Sequence, residues 1–236
     1  MNIVVHKANE RGKADYGWLK SYHSFSFSSY YNPERMRFGA LRVLNDDTVA
    51  PGMGFGTHPH DNMEIISIPL SGDLKHRDSM GNEVVIRQGD IQVMSAGTGI
   101  THSEMNAHAD REVKFLQIWI LPDERNVAPR YDQRTLDQTK MKNRLLQVAG
   151  PDEQDHAVRM HQQAWFYMGN LEAGTSLTYQ LHQPDHGVYA FLLEGDCNIQ
   201  EQHLTNRDGI GITGIASLEI HAIKNSSLLL MEVPMY

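Results

Sequence analysis

Short apolar stretches separated by turn residues limit the fold of this chain more than any other feature. They are rich in Val, Ile and Leu, and helical periodicity is sparse beside them. In the first part of the chain they read ALRVL, EIISIPL, EVVI, DIQVM and KFLQIWIL, and after residue 145 they resume as WFYMGNL, SLTYQL, VYAFLLEG, GIGITG, SLEIHAI and SSLLLMEV. Many short strands at regular spacing are typical of antiparallel barrels or sandwiches. We therefore predict an all-β protein.

A polar segment at residues 122–144 separates the two series of strands. Its charged and polar composition is typical of a linker between domains. We predict two domains, at residues 1–130 and 131–236.

The two halves share a spacing of histidines and glycines. His60 is followed by a Gly-Asp pair at Gly72, and His182 is followed by one at Gly195. This spacing predicts a duplicated β domain, and chance similarity between β-rich turns is the alternative.

Composition excludes several classes of function. The formal net charge is −8 and no long Lys/Arg block occurs, so we expect no direct binding to nucleic acid. The chain has no run of about 18 apolar residues, so we expect no membrane span. The N-terminal residues lack the apolar segment of a secretory signal, and Cys197 is the only cysteine, so we expect a cytoplasmic location.

Two short motifs carry residues that bind metal ions. GFGTHPHDNMEI holds His58, His60 and Glu64, and GTGITHSEMN holds His102 and Glu104. Alternate residues of a strand point to the same face, so each motif places its members together if the strand continues that far. A polar surface face is the alternative for the first motif alone. Imidazoles with a carboxylate suit Fe(II), Zn(II), Co(II), Ni(II) or Mn(II).

The C-terminal half lacks an equivalent set. Pro184 stands two residues after His182, and Ile223 stands two residues after His221. Two imidazoles without a carboxylate would make a poor site, so we predict a single metal, in the N-terminal half.

The two motifs resemble those of the cupin superfamily. The first, G-x5-H-x-H-x3,4-E-x6-G, is matched by Gly52, His58, His60 and Glu64, with the final glycine one position late at Gly72. The second, G-x5-P-x-G-x2-H-x3-N, is matched at Gly99, His102 and Asn106, with Gly97 in place of the proline.

Within the cupins, the chain resembles the pirin family. The segment SFSFSSYYNPERMRFGALRVLNDDTVAPGMGFGTHPHDNMEI resembles the N-terminal signature of that family, and SAGTGITHSEMN followed by QIWILP resembles its second conserved segment. The strong match covers roughly residues 15–122. The resemblance implies a bicupin, in which two antiparallel jelly-roll barrels pack face to face and the first one binds a metal.

The family pattern implies His58, His60, His102 and Glu104 as metal ligands, with Fe(II) favoured. Many other cupins use the glutamate of the first motif, here Glu64, and strand parity alone does not choose between the two carboxylates. Both Glu64 and Glu104 are therefore candidates for a catalytic base, and Glu64 is the nearer spare one.

Pirins are associated with quercetin 2,3-dioxygenase activity, in which O2 opens the central ring of a flavonol with loss of carbon monoxide. The resemblance thus implies a metal-dependent dioxygenase whose partners are a flavonol-like substrate and O2. The alternatives are a metal-binding regulator that acts through a protein partner, and another metal-dependent enzyme on the same barrel.

Overall fold

The structure, a computed structural model, describes residues 1–236 and is built almost wholly of strands. The strands up to residue 135 are β1 Asn2–His6, β2 Gly12–Asp15, β3 Leu19–His23, β4 Leu41–Val49, β5 Gly54–His60, β6 Glu64–Ser71, β7 Leu74–Asp78, β8 Glu83–Ile86, β9 Asp90–Ser95, β10 Ile100–Asn106, β11 Val113–Ile120 and β12 Arg130–Thr135.

The remaining strands are β13 Leu146–Gly150, β14 Val158–Arg159, β15 Trp165–Leu171, β16 Ser176–Gln180, β17 His186–Glu194, β18 Asp196–Ile199, β19 Gln202–Thr205, β20 Gly209–Thr213, β21 Ser217–Ala222 and β22 Ser226–Pro234. The helical segments are two short 3-10 turns, Ala8–Glu10 and Gln138–Met141.

Four sheets form two barrels. In the first barrel a seven-stranded sheet, in the order β12-β9-β6-β11-β4-β3-β2, faces a four-stranded sheet, β5-β10-β7-β8. In the second a seven-stranded sheet, β1-β20-β17-β22-β15-β13-β14, faces β16-β21-β18-β19. Strand pairs are antiparallel apart from β13 with β14. The predicted all-β bicupin is confirmed.

The two seven-stranded sheets pack against each other through the largest apolar cluster of the protein. It joins residues such as Ile66 and Ile118 of the first barrel to Phe191 and Met231 of the second. Because successive residues of a strand point to opposite faces, β6 sends Ile66 into this interface and Ser67 into its own barrel. The central strands are therefore buried on both faces, which explains why their sequences are nearly continuous apolar runs.

Two strands join the sheet of the opposite sequence half. β1, at the start of the chain, pairs with β20 of the second barrel, with Asn2 opposite Thr213. β12, which begins at residue 130, pairs with β9 of the first barrel. The division into domains at residues 1–130 and 131–236 stays a prediction, with these two strands crossing it.

No helix in the structure combines the length and the apolar content that crossing a bilayer requires.

Candidate metal centre

Three histidines converge inside the first barrel. His58 and His60 lie on β5 and His102 on β10, and in the antiparallel pair His102 stands opposite His58. The ring centroids are 4.5 Å apart for His58 and His102, and 4.9 Å apart for each pair that includes His60. One ligand nitrogen from each of the three lies within 4.8 Å of the others. This spacing suits one ion held by three imidazoles.

The register of β5 and β10 is irregular at this point. His58 pairs with His102, but Glu104 pairs with Phe55, so the strands gain a bulge between His102 and Glu104. Bulges beside functional sites re-aim side chains. Here the Nδ1 of His58 lies 2.7 Å from the carbonyl oxygen of Gly56 in the bulge. Donation of the Nδ1 proton to that carbonyl leaves Nε2 free to bind a metal.

The other ring nitrogens have no protein partner. Nε2 of His60 and both ring nitrogens of His102 are buried without a hydrogen bond. Buried polar atoms are normally paired, because an unpaired one costs free energy. A cation between the three rings would bind one nitrogen of each, including the buried Nε2 of His60 and one of the two unpaired nitrogens of His102, so the residues fit a bound metal.

Burial keeps the imidazoles of His60 and His102 neutral. Burial and, to a smaller extent, repulsion from the neighbouring His58 together lower the pKa of His60 to about 4. Burial likewise lowers the pKa of His102 to about 2, with added repulsion from His58 and His60. Neutral imidazoles have free lone pairs, so both side chains are in the form that binds metal at neutral pH.

Glu104 lies two residues after His102 on the same face of β10 and is almost completely buried. Its Oε1 accepts a hydrogen bond from the Ser67 hydroxyl at 2.8 Å, and its Oε2 accepts one from the Gln117 amide at 2.7 Å. Burial raises the pKa of this carboxyl, and the two hydrogen bonds and nearby His58 and His76 oppose the rise. The carboxylate is not among the groups within 4.8 Å of one another, so the structure gathers three of the four predicted ligands.

Glu64 is not on the face that sequence parity gave it. β5 ends at His60, the backbone turns with Asn62 at φ 45°, and Glu64 begins β6 in the other sheet of the barrel. There it has the parity of Ile66, which faces the second barrel, whereas Ile65 packs on the inner side with Trp119. The expectation that Glu64 shares a strand face with His58 and His60 is therefore wrong.

The carboxylate of Glu64 is used between the barrels instead. Its Oε2 accepts hydrogen bonds from the Ser95 hydroxyl at 2.8 Å and from the backbone N–H of His161 at 3.1 Å. Burial raises the pKa of this carboxyl, and these hydrogen bonds oppose the rise. Glu64 thus joins the first barrel to a loop of the second, on the side of the sheet away from the histidines.

Sequence reasoning missed the residues that hold Glu104 in place. Ser67 lies on β6 and Gln117 on β11, and the Ser67 hydroxyl also lies 2.7 Å from the Gln117 carbonyl oxygen. Each is a lone polar residue inside an apolar run, EIISIPL or KFLQIWIL. That interruption is the signal that could have marked them, because a polar residue in a buried strand needs a partner.

A second buried pair lies behind His102. The ring of His76 is 5.4 Å from that of His102, and its Nε2 lies 3.1 Å from a carboxylate oxygen of Asp78. The ring of Tyr131 packs against His76 at 4.8 Å. These contacts fix the wall of the barrel on which His102 lies.

His182 and His221 of the second barrel lie apart and have different partners. His182 stacks on Trp165, with ring centroids 4.3 Å apart, and its Nε2 lies 2.9 Å from the Tyr167 hydroxyl. His221 is exposed, and its Nδ1 lies 2.9 Å from the Ser176 hydroxyl.

Comparisons with known proteins agree with this geometry. The family described as "Pirin" matches residues 4–120, and the "Quercetinase C-terminal cupin domain" matches residues 147–233. The chain is 41% identical over 232 residues to a quercetin 2,3-dioxygenase of Escherichia coli K12, covering 98% of this chain and 99% of that one. It is 38% identical over 222 residues to a pirin-like protein of Caulobacter vibrioides, covering 94% and 95%.

A solved structure extends the likeness to three dimensions. The bacterial pirin YhhW from Escherichia coli, in complex with nickel(II), superimposes with a TM-score of 0.94 at 39% identity, and each chain is covered completely. The two matching family descriptions span both barrels, and the relatives match along almost the whole chain. The chain therefore belongs to the pirin family of bicupins.

Proposed function

We propose that this pirin is a metal-dependent dioxygenase of the quercetin 2,3-dioxygenase type, which opens the central ring of a flavonol with O2. The observation that carries the proposal is the convergence of three imidazoles inside the first barrel, with His102 buried and His58 and His60 half-buried. The relative that is 41% identical along the chain bears the name of this activity.

The proposed ligands are His58, His60, His102 and Glu104. The buried carboxylate of Glu104 supports its inclusion, because a charge that is removed from water needs an opposite charge nearby. We favour Fe(II), and this donor set also suits Ni(II), Zn(II), Co(II) or Mn(II).

A divalent ion bound there supplies Lewis acidity and a fixed template for the flavonol and O2. Four protein ligands leave open coordination positions, as catalytic sites require. The ligands lie on paired strands rather than on loops, so their positions are set before substrate arrives.

We propose that Glu104, when it loosens from the metal, is also the base that accepts the proton of the flavonol hydroxyl. Burial raises its pKa, which favours proton uptake, and Ser67 and Gln117 hold its two oxygens in place. Trp119 packs edge-on against His60, with ring centroids 5.0 Å apart, and gives the site an apolar wall that keeps water away from the reacting groups.

Anaerobic reconstitution tests this function. The metal-depleted protein is loaded separately with Fe(II), Ni(II), Zn(II), Co(II) and Mn(II), and O2 uptake and carbon monoxide release are measured with a flavonol. We expect turnover that depends on the metal. His102→Ala should lose the metal and turnover while its circular dichroism stays that of a β protein.

His221→Ala is the matched control, because this histidine is exposed, lies in the second barrel and has one side-chain hydrogen bond, to Ser176. It should keep both metal and turnover. Tight metal binding without turnover for every metal would favour the regulatory alternative, for which a protein partner remains a prediction. Full turnover by a verified metal-free His102→Ala protein would show that the metal is not catalytic.

A further inference from the structure

A separate cavity opens at the side of the first barrel. It lies where β2 and β3 of the seven-stranded sheet approach β5 of the four-stranded sheet, and its volume is about 280 Å³. Small-molecule sites span roughly 300–1,000 Å³. The cavity is just below this range, so it can hold one small ring system but not a large ligand.

Three unpaired polar groups form the inner end of this cavity. Nδ1 of His23, Oδ1 of Asn45 and Oδ1 of Asp47 are buried without a hydrogen-bond partner, and each residue is at most 3% exposed. Such atoms normally have a partner, because leaving them unpaired costs free energy. Two of the three are oxygens that accept hydrogen bonds, so the cavity is built for a ligand that donates them.

Aromatic side chains form the walls. Trp18 and Phe55 meet edge to face with ring centroids 5.4 Å apart, and Phe27 meets His23 at the same separation. Lysine and arginine are absent from the lining, and Asp47 adds a carboxyl. A carboxylate or phosphate ligand would be repelled here, whereas a flat neutral ring would pack against the aromatic walls.

The cavity adjoins the metal centre. Phe27 packs edge-on against Trp119 at 5.3 Å, and Trp119 packs edge-on against His60 at 5.0 Å. On the barrel wall, Asn45 stands directly opposite Gln117, which holds Glu104. A ring in the cavity would thus lie one aromatic layer away from the proposed ligands.

We propose that this cavity is a second binding subsite, which takes a hydroxyl-bearing aromatic ring between Trp18, Phe27 and Phe55 and binds its hydroxyl groups through Asn45 and Asp47. The assignment of this subsite to a phenolic ring of a flavonol rests on the proposed function. The capacity of the cavity to bind a simple phenol is independent of that function.

The protonation of Asp47 agrees with this role. Burial raises the pKa of its carboxyl to about 7, and Asp46 and Glu104 add to the rise while the Ser21 hydroxyl opposes it. Near neutral pH the carboxyl exists in both forms, so it can accept a hydrogen bond from a phenol or donate one to it.

Resorcinol is a suitable probe because its two hydroxyl groups are too far apart to chelate a metal. Its binding to the full-length, metal-loaded protein is measured by calorimetry for the wild type, Asp47→Ala and Asp47→Asn. Asp110→Ala is the matched control, since that aspartate is exposed. Asp47→Ala enlarges the cavity, so weaker binding of resorcinol to it cannot come from a steric clash. Asp47→Asn keeps the shape of the side chain, so it tests the role of the carboxyl even if the alanine variant does not fold.

We expect the wild type and Asp110→Ala to bind one resorcinol per chain. Asp47→Ala should bind it roughly tenfold more weakly or worse, and Asp47→Asn should fall between them. With a flavonol, Asp47→Asn should raise KM more than it lowers kcat.

Equal affinity in all four proteins would overturn the proposal, and so would the absence of binding to the wild type, which would mean that the cavity holds only water. Either result would leave flavonol turnover by the same protein untouched. Conversely, resorcinol binding in a protein without flavonol turnover would keep the subsite and refute the dioxygenase.

Discussion

Replacing Gln117 with leucine tests whether the buried support of Glu104 sets the metal affinity. Glu104 has two side-chain partners, Gln117 at 2.7 Å and Ser67 at 2.8 Å. The Ser67 hydroxyl has one proton and lies near both Glu104 and the Gln117 carbonyl, so in the variant it can donate fully to Glu104. The net loss is one hydrogen bond to a buried charge, about 1.5–3 kcal/mol.

Losing this hydrogen bond favours the protonated form of Glu104. A metal must then displace that proton before it can bind the carboxylate. The variant should bind metal roughly 10- to 150-fold more weakly, which overlaps the range of about 10- to 100-fold for residues that support metal ligands. Competition with a chelator measures the affinity, and circular dichroism checks the fold. Gln162→Leu is the matched control, since Gln162 is as deeply buried and its amide donates to the Leu121 carbonyl at 2.7 Å, away from the site. Wild-type affinity in Gln117→Leu would refute the reasoning.

Three further substitutions probe other parts of the structure. Glu64→Gln should lower the free energy of unfolding by about 1 kcal/mol in urea while metal content stays at the wild-type level, and loss of the metal would contradict the position of Glu64 between the barrels. His6 is buried against the Tyr189 hydroxyl, and burial lowers its pKa to about 4, with Arg35 adding to the effect. As pH is lowered, the unfolded chain binds a proton at His6 below about pH 6.5, whereas the folded protein binds it only near pH 4, so stability decreases as pH falls from about 6.5 to about 4. His6→Phe should make the decrease in Tm over this range smaller, and an unchanged slope of Tm against pH would contradict the prediction. In Gly54→Ala the added Cβ would clash with the Glu104 carbonyl oxygen, whereas in Gly56→Ala it meets nothing within 4 Å. Only the first should therefore weaken metal binding, and equal affinities would argue against close β5–β10 contact.

The strands and the three histidines were predictable because their signals are local. H-x-H on one strand places two imidazoles on one face, and the apolar runs mark strands whatever their partners. EIISIPL was recognised as a strand for this reason, and it forms β6, Glu64–Ser71.

Non-local pairing was harder to predict. The position of Glu64 depends on a turn at Asn62 that moves the chain from one sheet to the other, which parity along a continuous strand does not register. The contact between Ser67 and Glu104 joins strands 37 residues apart. β1 pairs with β20 across about 200 residues, and nothing in its own sequence specifies that partner.

Anomalous diffraction from crystals of the metal-loaded protein, recorded at the absorption edge of the metal, tests the proposed centre most directly. We predict one ion in the first barrel, bound by His58, His60, His102 and the carboxylate of Glu104, with Glu64 still hydrogen-bonded to Ser95 between the barrels. An ion bound elsewhere, or bound by the three histidines with Glu104 turned away, would contradict it.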